Sequence, residues 1–464
     1  MVPRTTIAVA ALALSGCVSF SNDGGLGAVQ DRAASLGKDI RWARSEAERG
    51  ALDARVSELL GEPLGVEEAV QVALLSNRGL QADYSALGLA EADLVQASRL
   101  PNPQFSMLRA QRGDDFKIEQ AITFNLISLI AVPLASQVEA RRFQAVQLDT
   151  AAAVFRAATE ARASWVEAVA AGETLRYMQQ VEAAAAAGAE LAERLARAGN
   201  ISQLGVAREQ AFHAETAAQL ARSRHGALAA RERLARALGL GAAPQRMRLP
   251  EQLPALPQAP REAPEIATAL PQRLDLQALA SQTEALAKNL GLTRATRLIN
   301  VLEFGPARVL EGTKSDPYKY GWELSFELPL FDFGAAKVAR AETAYMAAIN
   351  RAAQQAGDAA SELRERYAAY RTSFEVARQY RDEILPLRRK ISEENLLRYN
   401  GMLIGVFELL ADAREQAGAA LQAIAAQRDF WLAESDLQMS LVGIPGSARQ
   451  VVPATAVAVT PAEH

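Results

Sequence analysis

The residue best placed for chemistry is Cys17, the only cysteine of the 464-residue chain. It directly follows Leu14-Ser15-Gly16, in a segment with a basic residue at Arg4 and an apolar stretch over residues 7–14. An apolar stretch of about 8 residues is too short to span a bilayer but has the length of a signal-peptide core. Small residues before a cysteine match the bacterial lipobox. We therefore predict a signal peptide over residues 1–16 and a lipidated Cys17 as the first residue of the mature chain.

An ordinary signal peptide that leaves the Cys17 thiol unmodified is the alternative interpretation of this segment. The position of the only cysteine favours lipidation, because it falls where the lipobox requires it. Acyl chains contribute about 0.8 kcal/mol per buried methylene, and several chains together form a stable anchor. The residue that follows the cysteine is Val18. In bacterial lipoproteins an aspartate at this position favours the inner membrane, so the resemblance to them favours the outer membrane for this chain. We expect an exported protein anchored there.

Other residue types offer little material for catalysis or metal binding. Among the three histidines, His213 and His225 are too far apart along a helical pattern to share a metal, and His464 ends the sequence. Gly24-Gly25-Leu26-Gly27 follows no strand and precedes no lysine of a phosphate-binding loop. A single cysteine also excludes a disulfide scaffold. We expect no catalytic group, no cofactor and no metal ligands, and therefore a protein that is not an enzyme.

The overall composition narrows the class of protein. Half of the residues are apolar, 22% are charged, and the formal net charge is −4. This near balance argues against a nucleic-acid binder, and the apolar content argues against a disordered chain. A mean hydropathy of −0.04 excludes a polytopic helical membrane protein. Most of the apolar content is alanine among Glu, Arg, Gln and Leu, which is typical of long packed helices.

A proline-rich segment divides the mature chain into two similar halves. Seven prolines fall within residues 244–271, and this density predicts an extended linker without helix. The flanking sequences resemble each other at a period of about 200 residues, which indicates an internal duplication. The matching strings are Asn77–Ala82 with Gln272–Ala278, Thr123–Leu126 with Ser325–Leu328, and Gly199 with Gly401. We predict repeats over 64–243 and 272–443, an N-terminal segment over 17–63 and a tail over 444–464.

Each half is predicted to contain a helix, two strands, a very long helix, a glycine break and another helix. The first helix begins near Val66 and stops before Pro101, and the long one runs from about Pro133 to Ala198. Roughly 65 residues of helix measure ~100 Å at 1.5 Å per residue. Apolar positions at alternating spacings of three and four residues predict a coiled-coil seam. A cytoskeletal or adaptor coiled coil is the alternative, and it predicts helix throughout.

Two segments have the pattern of strands with one apolar and one polar face. They are residues 116–126 and 318–328, each preceded by a weaker strand at 104–112 and 298–308. Strands of about 9–11 residues with this alternation are typical of transmembrane β-strands, although a soluble sheet with one wet face shows the same alternation. The lipobox favours the membrane interpretation. The residues predicted to face lipid are Ile122, Phe124, Tyr320, Trp322 and Leu324.

The number of strands has a consequence for assembly. Lipid does not tolerate open sheet edges, because their backbone groups find no hydrogen-bonding partner there. Small closed barrels begin at about eight strands, so four strands from one chain cannot close a barrel. The strands must therefore be shared between chains, and oligomerisation becomes a structural necessity.

The sequence resembles the outer-membrane efflux protein family, the TolC-like channel tunnels, over nearly the whole mature chain. Each string that carries the resemblance is modest alone, but their order and duplication make the match specific. These strings are Leu64–Val70 with Ala73-Leu74 and Asn77, Leu89–Ala97, Leu100–Pro103, Leu328–Gly334, and Tyr399–Gly401 leading into Phe407–Leu410.

The resemblance implies a mainly α fold with membrane β-structure. Three copies would form a 12-stranded barrel in the outer membrane above a long coiled-coil helical tunnel in the periplasm. It implies a passive export conduit for drugs or metal ions, delivered by an inner-membrane pump and a periplasmic adaptor. The lipidated subgroup is often coupled to resistance-nodulation-division pumps. A structural envelope lipoprotein with a coiled-coil tether is the alternative function.

The resemblance also suggests a gate. The glycine breaks predict helical-hairpin turns at Gly199 and Gly401, and a ~100 Å rod that ends there would place them deep in the periplasm. The resemblance implies that acidic side chains just beyond the second turn ring the narrowest point of the tunnel. The matching stretch, 407–412, makes Glu408 the first candidate and Asp412 the second. The match requires one extra residue between Gly401 and Glu408, so ordinary solvated carboxylates on a helix remain the alternative.

The lipobox leads to a direct prediction about the mature N-terminus. Mass spectrometry of the exported protein should find an acylated Cys17 as its first residue. Cys17→Ala with an alternative signal-peptidase site should remove the acyl mass, while the strands still hold the protein in the membrane. An unmodified N-terminus that begins elsewhere would contradict the prediction.

Overall fold

The computed structural model describes residues 19–241, 247–298, 301–313 and 315–444. Cys17 and the signal peptide predicted over residues 1–16 lie outside the described residues, as does the tail from residue 445. Within the described ranges, no helix combines the length and the apolar character needed to cross a membrane.

Long α-helices account for most of the described chain. The α-helices are α1 Leu26–Arg32, α2 Glu46–Leu59, α3 Val66–Ser76, α4 Arg78–Ala97, α5 Leu126–Arg197, α6 Gln203–Ala237, α7 Ile266–Ala269, α8 Leu274–Thr296, α9 Ala335–Gln379, α10 Leu385–Asn400 and α11 Val406–Val442. A π-helical turn, Tyr380–Ile384, joins α9 to α10. The predicted very long helix is confirmed, since α5 has 72 residues.

A single four-stranded sheet completes the described structure. Its strands are β1 Gln104–Arg112, β2 Asp115–Asn125, β3 Leu302–Gly312 and β4 Lys319–Phe326. They pair antiparallel in chain order. The strand predicted over 298–308 lies further along the chain than expected. The register explains this shift, because Gly312 pairs with Phe116 near the start of β2.

The chain forms two compact units, and each draws on both sequence halves. The first contains the segment up to Ala33, Ala82–Ala151 and Leu274–Asp358, and it includes the sheet. The second contains Ala34–Gln81, Ala152–Arg273 and the segment from Ala359. The compact units therefore cut across the two predicted repeats, because the helices α5 and α9 each contribute residues to both units.

The helix predicted from Val66 to Leu100 is interrupted at Asn77. This residue is extended, with φ −68° and ψ 112°. Its side-chain amide donates to the carbonyl of Ala237 at 3.1 Å and its carbonyl oxygen accepts from the backbone of Leu80 at 3.2 Å. The prediction of one continuous helix was wrong because the break depends on a partner 160 residues away in the sequence.

The linker is more structured at its end than the proline count predicts. The prediction of no helix holds for the described residues 247–265, but α7 and a 3₁₀ turn, Leu270–Gln272, follow. Pro264 precedes the helix, and Pro271 lies in the first turn of the 3₁₀ helix. A missing backbone N–H costs little at the start of a helix, so both prolines are tolerated.

The second unit contains a core in which Trp165 is central. The Trp165 indole donates to the carbonyl of Leu64 at 2.7 Å, and both residues are buried. The surrounding side chains come from α2, α3, α5 and α6. A second cluster packs Tyr370 and Phe374 against Phe430, with ring centroids 5.7 Å apart in each pair.

Replacing Trp165 by Phe tests this core. The Leu64 carbonyl would lose its indole donor in a buried place, which costs roughly 1–3 kcal/mol, so we expect a thermal unfolding midpoint lower by several degrees. Trp431→Phe is the matched control, because that indole donates to the Pro254 carbonyl at an exposed site. Equal midpoints for the two variants would contradict the central role of Trp165.

Candidate functional site

The two faces of the sheet have different chemistry, and the strand register fixes which residues share a face. One row across β2, β3 and β4 consists of Phe124, Phe304 and Leu324. On the same face the ring of Trp322 lies 6.1 Å from that of Phe304. Aromatic cross-strand neighbours of this kind stabilise a sheet.

All five residues predicted to face lipid lie on this apolar face. Their exposed fractions in the single chain range from 42% for Phe124 to 81% for Tyr320, with 68% for Trp322. The complete set is Ile122, Phe124, Tyr320, Trp322 and Leu324. Soluble monomers rarely expose a continuous aromatic and aliphatic surface, so this face marks a contact with lipid or protein.

The opposite face of the sheet is charged. Its ion pairs join Lys117 to Glu119 at 2.7 Å and Lys319 to Glu311 at 3.5 Å. Gly305 also belongs to this face, and a Cβ there would come within 1.8 Å of the carbonyl oxygen of Ile122. Only glycine allows the two strands to approach so closely at this point.

The sheet has two edges that no described residue pairs. β1 and β4 each have a single neighbour in the order β1-β2-β3-β4. Each edge strand therefore presents a row of backbone N–H and C=O groups without a ladder partner. Such edges recruit further strands, and proteins close them, cover them or pair them with another chain.

Gly199 and Gly401 each lie between two consecutive helices, but the backbones at the two positions differ. At the first, Gly199 is left-handed, with φ 77°. At the second, Gly401 is the C-terminal cap of α10 with φ −80°, and the left-handed residue is Met402, with φ 60°. Met402 is 93% exposed, so its side chain meets no obstacle in this less favoured conformation.

The two gate candidates lie in different environments. Glu408 is exposed in the first turn of α11. Asp412, one turn later, is only 7% exposed, and its Oδ2 atom has no hydrogen-bond partner. Within one chain, therefore, Glu408 meets solvent and Asp412 does not. This difference favours Glu408 as the carboxylate that can face an aqueous passage.

Sequence reasoning missed an ion pair that links α6 to α11. Arg414 donates to the buried carboxylate of Glu209 at 2.5 Å, and its guanidinium carbon lies 4.1 Å from the centre of the Phe212 ring. Both residues line a cavity of about 200 Å³ bounded by α5, α6 and α11. Tyr177 also lines it, and burial raises the pKa of its hydroxyl. No local pattern signals this pair, because its members stand 205 positions apart.

The described residues contain no group of three or more His, Cys, Asp or Glu side chains arranged to hold a metal ion. His213 lies 3.2 Å from the Glu182 carboxylate across the α5–α6 pair. His225 stands in α6, 12 positions further on. Neither histidine brings further ligands together.

Comparison with family models and with curated protein sequences finds no match. Solved structures do match. The outer-membrane channel OprN is 19% identical with a TM-score of 0.68, covering 89% of this chain and 95% of its own. The Campylobacter jejuni outer membrane channel CmeC is 15% identical with a TM-score of 0.67, covering 86% and 87%. A membrane protein from Pseudomonas aeruginosa is 18% identical with a TM-score of 0.70, covering 81% and 93%.

These likenesses show a shared fold. The predicted fold class, long helices with four β-strands per chain, is confirmed by the four-stranded sheet and by structures that cover nearly the whole length of both chains. The resemblance in sequence strings and the similarity of structure thus point to the same fold.

The burial of Asp412 generates a stability prediction. Burying a polar atom without a partner is unfavourable, so Asp412→Ala should leave the thermal midpoint unchanged or raise it, by about 1 kcal/mol of unfolding free energy. Asp436→Ala is the control, because Asp436 pairs with Arg366 at 3.7 Å, and this variant should lower the midpoint. A larger loss for Asp412→Ala than for Asp436→Ala would show that the Asp412 carboxylate is stabilised in the folded protein.

Proposed function

We propose that this chain, which has the fold of outer-membrane channels, is the channel subunit of a tripartite efflux system. It acts as a passive export conduit for drugs or metal ions. The observation that carries the proposal is the four-stranded sheet, which combines an exposed apolar face, a charged face and two unpaired edges. A tether needs none of these features, whereas a barrel shared between several chains uses all of them.

Three copies of the chain provide enough strands to close the sheet into a barrel. Each chain contributes four strands, so three copies give 3 × 4 = 12 strands, above the roughly eight at which small closed barrels begin. In such a barrel, β1 of one chain pairs with β4 of the next, and the edge groups acquire ladder partners. The apolar face then meets lipid, and the charged face with Lys117, Glu119 and Glu323 lines water.

A passive conduit has no energy source of its own, and this indicates which partners it needs. The chain offers no constellation for catalysis in its sequence, so the driving force must come from elsewhere. We propose an inner-membrane pump, of the resistance-nodulation-division type, and a periplasmic adaptor as partners. Cys17 provides an acyl anchor in the outer membrane, and the mature chain extends into the periplasm.

At the tip formed by α10 and α11, we propose that Glu408 narrows the passage. In a trimer, three copies place three Glu408 carboxylates around one axis. A ring of carboxylates attracts cations and repels anions. The burial of Asp412 makes it the weaker candidate, because its side chain would first have to leave its present surroundings.

Conductance separates a channel from a tether. The purified full chain, added to planar bilayers, should give discrete single-channel currents and migrate as a trimer in mild detergent. A stable monomer that yields no current in the bilayer would contradict the proposal and favour the structural lipoprotein.

The gate has its own test in the same bilayers. Divalent or trivalent cations added on the periplasmic side should block the current, and Glu408→Ala should relieve the block and lower cation selectivity. Glu215→Ala is the control, because this carboxylate is also exposed on a helix but lies on α6. If Glu408→Ala leaves both block and selectivity unchanged, Glu408 does not line the constriction.

A further inference from the structure

The apolar face of the sheet is not apolar along its whole length. At the end nearer the β1–β2 and β3–β4 turns, it has two arginines, Arg109 on β1 and Arg308 on β3, and both are exposed. Arg109 pairs with Ile118, and Arg308 pairs with Gln120 on one side and Tyr320 on the other. The register therefore places both arginines on the same face as Trp322.

This face has positive charge and no negative charge. The strand acids all occupy the alternate positions, which point to the opposite face: they are Asp115, Glu119, Glu303, Glu311 and Glu323. There the lysines are paired with acids, as in Lys117–Glu119 and Lys319–Glu311. By contrast, no acidic partner lies within ion-pair distance of either arginine among the described side chains.

Arg308 is held in place by neutral neighbours. Its Nε atom donates to the Gln120 side-chain oxygen at 2.6 Å, and its guanidinium carbon lies 4.8 Å from the centre of the Tyr318 ring. These contacts orient the guanidinium without neutralising its charge. The terminal nitrogen atoms, which form the planar fork that binds phosphate in two parallel hydrogen bonds, are not used by Gln120.

The height of the arginines along the strands matches a membrane interface. Arg308 is six positions from Leu302, or about 20 Å at 3.4 Å per residue before any strand tilt. Below it lie Phe304, Trp322 and Leu324, and the exposed Leu330 and Phe331 follow β4. Arginine and tyrosine above an apolar band are typical of the level of lipid headgroups.

We propose that Arg109 and Arg308 bind the phosphate groups of anionic lipids in the membrane leaflet at the turn end of the sheet. This inference rests on the proposed function, because it requires the apolar face to meet lipid. The two arginines stand on strands that flank β2, about two strand spacings or ~10 Å apart across the sheet. Their partners Ile118 and Gln120 are two residues or ~7 Å apart along β2, so the two backbones are separated by ~12 Å. Two long side chains at this distance reach one headgroup or two adjacent ones.

Trp322 is a reporter already present at the site. It lies on the same face, it is 68% exposed, and it stands two residues along β4 from Tyr320, which pairs with Arg308. The full chain is reconstituted in phosphatidylcholine bilayers that contain a small fraction of brominated phosphatidic acid or brominated phosphatidylcholine. The fluorescence of a Trp322→Phe sample is subtracted from that of the unmodified chain. This subtraction removes the signal of the other tryptophans and leaves the quenching of Trp322.

We expect brominated phosphatidic acid to quench Trp322 several-fold more effectively, per mole of lipid, than brominated phosphatidylcholine. Arg109→Gln combined with Arg308→Gln should abolish this preference. Arg112→Gln should retain it, because Arg112 belongs to β1 but points to the opposite face. Inorganic phosphate in the buffer should not compete, because the site takes the headgroup of a lipid held in the bilayer.

The outcomes separate this inference from the proposed function. Equal quenching by the two lipids in the unmodified chain, or a preference that survives in the double variant, would overturn the phosphate site while leaving the face in lipid. Absence of quenching by either lipid would contradict the membrane position of the face and thus the proposed function. Quenching of the double variant by brominated phosphatidylcholine shows that it has folded and inserted.

Discussion

The structure depends on one constraint: four β-strands in a single chain leave two rows of backbone hydrogen-bonding groups without partners. β1 and β4 are edges, and the apolar face between them is exposed. In water the edges promote aggregation, and in lipid their unpaired groups are not tolerated. Pairing with further copies of the chain removes both problems at once, because it closes the edges and directs the apolar face outwards.

Within the first unit, short junctions connect the strands of the sheet to the long helices. β2 ends at Asn125 and α5 begins at the next residue, with the Asn125 side chain accepting from the backbone of Ser128 at 3.0 Å. After β4, the chain turns into α9 at Gly334, which has φ 74°. A Cβ at Gly334 would come within 2.5 Å of the Arg297 carbonyl oxygen, so this turn requires glycine. Because the junctions are short and fixed, the position of each strand determines where the following helix begins.

Much of this arrangement could be predicted from sequence because its signals are local. Alternation of apolar and polar residues predicted β1 over its observed range and β2 within a residue, and seam spacing predicted the long helix α5. The break at Asn77 could not be predicted, since it depends on the Ala237 carbonyl. The burial of Asp412 and the Arg414–Glu209 pair were also missed, because they arise only when distant helices pack together.

A barrel of several copies requires β1 of one chain to pair with β4 of another, and disulfide trapping between these edges tests that pairing. Ser106→Cys on β1 is combined in turn with Gly321→Cys, Glu323→Cys or Ser325→Cys on β4, all on the charged face, and the membranes are oxidised. If the edges pair in this way, at least one pair of cysteines yields covalent dimers and trimers but nothing larger, while each single variant yields no trimers. Intact monomers with every pair, or ladders that extend beyond three chains, would contradict a closed barrel of three copies.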